Sequence, residues 1–147
     1  MLTYETSISI AAPRDAVWRT LSEVAAWAEW LPTVTGVQAL DARPLAVGRR
    51  YAVRQPKLQP VTWHVTELEA GRRFTWQARS PGLLMISEHV VDEERPGTSD
   101  VVLRFSFSGL LGGLVGGLYR EITERYIATE AATLKQKVEA PALAGPS

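Results

Sequence analysis

The chain contains no cysteine and only two histidines, His64 and His89. Without cysteine there is neither a disulfide framework nor a thiolate zinc site, and two distant histidines with no H-x-x-x-H helix argue against a metal centre. No G-x-S-x-G nucleophile elbow occurs either. Net charge is missing as well: sixteen basic and sixteen acidic residues cancel. With no basic block and no interleaving of aromatic and basic residues, nothing recruits a phosphate backbone, so nucleic acid is not an expected partner. The most apolar run, Gly109 to Tyr119, is far shorter than the about 20 residues needed to cross a bilayer, which excludes stable membrane insertion. The opening residues MLTYETSISI lack the basic and apolar regions of a signal peptide. The default expectation is a soluble cytoplasmic protein that needs no cofactor.

What is present is enough for one packed domain. At 147 residues, a chain buries about 68 to 70 percent of its unfolded surface. Thr3 to Ile10 alternates Tyr4, Thr6, Ile8 and Ile10 with Thr3, Glu5, Ser7 and Ser9, the pattern of a half-buried strand. Pro13 then opens a short helix with Val17, Trp18 and Leu21 on its apolar side. A second short helix contains Val24, Trp27 and Trp30 and ends before Pro32. Six further strands follow, about Gly36 to Asp41, Arg49 to Gln55, Val61 to Leu68, Arg72 to Ala78, Leu83 to Val91 and Val101 to Phe107, separated by glycine- and proline-rich breaks. Strands at hairpin spacing with no intervening helix predict an antiparallel sheet, mostly a meander.

From Ser108 to about Val138 the spacing predicts one long helix. Leu111, Leu114, Val115, Leu118, Ile122 and Tyr126 form its apolar stripe, mostly in steps of three and four. Gly109, Gly112, Gly113, Gly116 and Gly117 fill the opposite face, each costing about 1 kcal/mol relative to alanine. Such a bare face either lets another backbone approach closely or loosens the start of the helix. Residues 1–139 are expected to form one domain, with 140–147 a mobile tail.

This order of elements is that of the helix-grip fold, and particular residues carry the likeness. They are Ile10-Ala11-Ala12-Pro13 with Val17-Trp18, then Trp27-Ala28-Glu29-Trp30-Leu31-Pro32, Val61-Thr62-Trp63-His64-Val65-Thr66-Glu67 and Gly71-Arg72-Arg73-Phe74-Thr75-Trp76, followed by Pro96-Gly97-Thr98 and Phe107-Ser108-Gly109. Over about residues 3 to 138 the chain resembles the polyketide cyclase/dehydrase branch of the SRPBCC superfamily, which is START-like and related to the Bet v 1 allergens. The resemblance implies an α+β fold in which a curved antiparallel sheet of about seven strands wraps a long C-terminal helix. An elongated cavity between them would take a small hydrophobic or aromatic molecule. It implies no shared catalytic motif, because a fold hosts many functions.

With the apolar strand faces turned to the helix, the cavity wall is expected to include Tyr51, Val53, Trp63, Val65, Phe74, Trp76, Phe105 and Phe107, closed by Leu114, Leu118, Tyr119 and Ile122, with Trp30 at the mouth. Tyr51, Trp63 and Trp76 pair an aromatic body with a polar tip, as a flat ligand with a few oxygens requires. Alternation puts His64 on the solvent side. His89 shares a face with Met85, Ser87 and Val91; inward, it is a candidate general acid, general base or hydrogen-bond donor. The strand is apolar on both faces, so the opposite setting, with Leu84, Ile86, Glu88 and Val90 inward, stays open. Three functions compete. The first is binding of a lipid, polyketide or similar molecule, and the second is cyclase, aromatase or dehydratase chemistry with His89 moving a proton. The third is an interaction module or homodimer using the glycine face, the chain otherwise being a monomer.

Overall fold

The computed structural model describes residues 1–140. Strand β1 (Leu2–Ile10) leads to helix α1 (Arg14–Ser22) and a 3-10 helix (Val24–Glu29). Strands β2 (Gly36–Ala39), β3 (Arg50–Arg54), β4 (Val61–Glu69), β5 (Arg73–Ser80), β6 (Leu83–Arg95) and β7 (Thr98–Ser108) follow. Helices α2 (Gly112–Leu118) and α3 (Arg120–Glu139) complete the chain. The strands form one antiparallel sheet in the order β1-β7-β6-β5-β4-β3-β2, so β1 closes onto β7 while β2 to β7 run as a meander. This is the α+β helix-grip architecture. Both tightest hairpins, between Ser80 and Leu83 and between Arg95 and Thr98, turn on a Pro-Gly pair. Proline fixes a negative φ there, and the glycine that follows takes φ of 74° at Gly82 and 83° at Gly97. Register shifts between Val65 and Glu67 and between Glu93 and Arg95 mark bulges, which bend the sheet.

The core lies on the concave face. Phe74, Trp76, Val91, Val101 and Leu103 from the sheet meet Val17 and Leu21 of α1 and Trp27 of the 3-10 helix, all buried. Helix α3 adds Ile127, Ala131 and Leu134 in steps of four and three, a stripe that matches the helical period. Leu134 is 1 % exposed, and burying a side chain of that size contributes about 1.5 to 3 kcal/mol.

The expected single helix over 108–138 is two helices, broken at Tyr119 (φ −99°, ψ 17°). The expected stripe also divides. Val115, Ile122 and Tyr126 turn toward the sheet, whereas Leu111, Leu114 and Leu118 face solvent, the last two at 64 % and 74 % exposure. Close packing explains the reversal. A Cβ at Gly112 would sit 2.8 Å from the Phe107 carbonyl oxygen, and one at Gly116 would meet Leu2 and Phe107 side chains at 3.1 Å. Only glycine lets α2 lie that near β7, so Gly112 and Gly116 are the inner positions and the leucines turn outward. Gly112 and Gly116 are therefore covered within the chain and present no surface to a partner, whereas Gly113 and Gly117 of the same set meet open space. Of the expected tail over 140–147, all but Ala140 falls outside the described residues.

Candidate ligand cavity

A cavity of about 1000 Å³ lies between the concave sheet face and α3. Its floor is aromatic because β4, β5 and β7 each place alternate residues on the same face. Trp63 and Trp76 stack at 5.5 Å with planes 20° apart, and Phe105 meets the edge of Trp63 at 5.7 Å. The roof comes from the end of α2 and the inner face of α3, with Val115, Tyr119, Ile122, Thr123, Tyr126, Ile127 and Glu130. The Tyr126 hydroxyl donates to the Pro56 carbonyl, tying the roof to the loop between β3 and β4. Trp27 and Val34 close the inner end.

Two of the titratable groups that border the cavity have pKa values moved far by this apolar setting. His89 is 2 % exposed and faces inward, while Glu88 points to the convex face and pairs with Arg104 at 3.2 Å. The structure thus selects one of the two orientations that alternation left open. The imidazole stacks on Phe74 at 4.1 Å with planes 9° apart. Its Nδ1 lies 3.2 Å from the Phe74 carbonyl oxygen and Nε2 lies 3.4 Å from Ser87 Oγ. A carbonyl only accepts, so Nδ1 carries the proton and Nε2 offers its lone pair to the serine hydroxyl. Burial lowers the His89 pKa to about 4, against the smaller opposing effect of the Phe74 hydrogen bond. It is a neutral hydrogen-bonding group at neutral pH.

Glu130 is the counterpart on α3. The residue is half-buried, lines the cavity, and has no ion-pair or hydrogen-bond partner among the described residues. Desolvation raises its pKa to about 7. A carboxyl that exchanges its proton near neutrality can give or take one from a bound molecule.

Of the residues expected to touch a ligand, Trp63, Trp76, Met85, His89, Phe105, Tyr119 and Ile122 border this cavity. Tyr51 does not. It is fully buried behind the wall, its hydroxyl donating to the Arg43 carbonyl at 3.0 Å. Trp30 borders a separate, shallower groove with Thr133 and Gln136. Leu114 and Leu118 stand on the outer face of α2, for the packing reason given above. Glu130, Thr123 and Ile127 were not anticipated. Their signal was available: Thr123, Ile127, Glu130 and Leu134 continue one helical stripe in steps of four, three and four. Among the described residues no group of three or more His, Asp or Glu side chains has the arrangement of a metal site.

The model of the family described as polyketide cyclase / dehydrase and lipid transport matches residues 1–139. Among solved structures, the Zhui aromatase/cyclase from Streptomyces sp. R1128 is similar with a TM-score of 0.78 and 19% identity, 98% of each chain being covered. The di-domain aromatase/cyclase BexL of the BE-7585A biosynthetic pathway gives 0.76 and 21% identity over 99% of this chain and 48% of that one. Truncated norcoclaurine synthase from Thalictrum flavum gives 0.77 and 12% identity over 95% of this chain and 94% of the other. At such identities these structures establish the fold alone. Comparison with curated proteins by sequence returns no match.

Proposed function

The chain belongs to the polyketide cyclase / dehydrase and lipid transport family, and from that premise we propose that it binds a small apolar or aromatic molecule, such as a lipid or a polyketide, between the sheet and α3. The observation that carries this reading is the cavity itself. About 1000 Å³ walled by Trp63, Trp76, Met85 and Phe105, with a few inward polar groups, has the size and chemistry of a small-molecule pocket. Tryptophan side chains give flat apolar contact and an N–H that a ligand oxygen can accept from. Native mass spectrometry of the protein as purified, with small-molecule analysis of the same sample and titration of aromatic and lipid probes, tests the reading. A bound apolar compound, or saturable probe binding lost in Trp76→Ala, is the expected result. A cavity that takes up no probe of either kind would refute it.

One observation favours a second reading, in which bound poly-carbonyl chains are also cyclised or dehydrated. His89 and Glu130 border the same cavity, one as a neutral imidazole and the other as a carboxyl titrating near neutrality. Glu130 would exchange the proton and His89 would accept at Nε2 from a ligand hydroxyl or a water, while the aromatic walls bring reacting carbons together. On this reading Glu130→Gln abolishes turnover of a bound substrate and leaves its binding within a few-fold. Unchanged turnover in both Glu130→Gln and His89→Ala would exclude it.

A further inference from the structure

The sheet is not continuous over the cavity. β4 and β5 pair from Glu69–Arg73 through Val65–Trp76 to His64–Gln77, and there the ladder stops. Beyond that point β4 stays paired to β3 as far as Val61–Val53, and β5 stays paired to β6 as far as Ser80–Leu83. The two strands therefore part and leave a slot whose lips are Val61–Trp63 and Ala78–Ser80, all of which border the cavity.

The direction of the backbone groups on these lips follows from bonds on either side. Val65 accepts from Gly48 N at 2.8 Å and donates to the Arg49 carbonyl at 3.0 Å, so it turns its polar groups toward β3. Alternation then turns those of Thr62 and His64 toward β5. On the other lip the Arg72 carbonyl accepts from Val91 N at 2.7 Å on the β6 side, which turns Gln77 and Arg79 toward β4. Thr62 and Arg79 are thus the next pair in register after His64 and Gln77, and the ladder does not include them. Each directs an N–H and a carbonyl into the slot.

Charge makes the slot different from the chamber behind it. The Arg79 side chain is exposed and has no carboxylate partner among the described residues, unlike Arg50, Arg72, Arg73 and Arg104. His64 stands beside it at the last rung of the ladder. The chamber offers an anion nothing comparable: its apolar walls would desolvate the charge, and Glu130 repels it whenever ionised. An amphiphile with an anionic end therefore has one favourable orientation, apolar body inside and charge in the slot.

We propose that the gap between β4 and β5 is an arm of the cavity mouth that holds the anionic end of an elongated apolar ligand, a carboxylate or a phosphate ester. The Arg79 guanidinium and the Thr62 and Arg79 N–H groups are its donors. The assignment rests on the ligand-binding reading and adds to it the class of ligand and its direction.

Displacement of a neutral naphthylamine fluorophore by dodecanol, dodecanoate and dodecyl phosphate tests it, since the three share one chain and differ in the end group. Wild type is expected to release the fluorophore at a roughly tenfold lower concentration of one anion than of dodecanol, the size of a charge-assisted contact. Which anion shows the preference identifies carboxylate or phosphate as the end group. Arg79→Gln removes most of that preference and leaves dodecanol unchanged. Thr62→Pro, which deletes a donor that no ladder bond uses, reduces the preference by roughly threefold. Equal displacement by all three compounds, or an anion preference that survives both substitutions, overturns the slot while the cavity reading stands. Failure of the fluorophore and all three compounds to bind overturns both.

Discussion

Helix α3 buries Ile127, Ala131 and Leu134 in steps of four and three, whereas α2 buries Gly112 and Gly116 and leaves Leu114 and Leu118 in solvent. Both helices cover the same sheet. The difference is distance: α2 follows directly from β7 and lies so near it that Phe107 occupies the place of a Cβ. α3 stands far enough away to interpose side chains, and along its first half it leaves a cavity. Hydrophobicity decides which face is buried only when there is room for what it would bury. Where there is none, a residue with no side chain is selected, even at the helix-propensity cost of glycine.

The sharpest way to break this comparison is to add one carbon to α2 and remove three from α3. Gly112→Ala puts a Cβ 2.8 Å from a backbone oxygen that cannot rotate away, and overpacking of that kind costs about 1 to 3 kcal/mol. Leu134→Ala leaves a hole in a closed core and costs about 2 to 5 kcal/mol. Urea unfolding of the two variants should therefore show losses of similar size. A stabilised Gly112→Ala, as helix propensity alone would give, would mean that α2 does not lie against β7 in this way.

A second test uses the one carboxyl on the inner stripe of α3. Glu130 has its folded pKa raised from 4.5 to about 7. The folded state then binds more protons than the unfolded state between those values, and stability falls as pH rises through that window. His89 has the opposite sign. Its folded pKa is lowered from 6.5 to about 4, so the stability linked to its neutral form is complete above the unfolded value and is lost as pH falls from about 6.5 toward 4. The two slopes oppose each other where the windows overlap, and wild-type stability should vary little there. Glu130→Gln removes one slope and should leave stability rising with pH by about 1 to 3 kcal/mol across the window. Denaturant midpoints at several pH values measure this; parallel curves for wild type and variant would show that Glu130 does not titrate inside the cavity.

The same contrast explains what could be seen in the amino-acid sequence. Strand alternation has a period of two whatever the surroundings, so spacing alone puts Trp63, Trp76 and Phe105 on one face, and they share it. His89 was harder, since β6 is apolar on both faces; only its pairing with Phe74 and Leu103 settles the direction. Apolar spacing puts Leu114 and Leu118 in the roof and the structure does not, because counting apolar residues cannot reveal how near a helix lies to its sheet. Glu130 was legible and missed, as it continues the stripe past Tyr126, where the apolar residues give way to a charge. The slot between β4 and β5 was not legible at all. It depends on where two ladders end, and Thr62 and Arg79 have ordinary strand neighbours.

The smallest expected effect separates the two helices most directly. Leu118→Ser changes a side chain that is 74 % exposed, so little buried apolar area is lost and stability should move by no more than about 0.5 kcal/mol. Ile127→Ser removes a buried chain of similar size one helix further on and adds a hydroxyl to an apolar site, which should cost several times as much. If the helix presented Leu118 to the sheet, as its apolar spacing suggests, the two substitutions would cost the same. Near-equal losses in urea would therefore place the leucines inward and Gly116 outward. A large inequality keeps Gly112 and Gly116 against Phe107, with the Tyr4 hydroxyl donating to the Gly116 carbonyl at 2.8 Å.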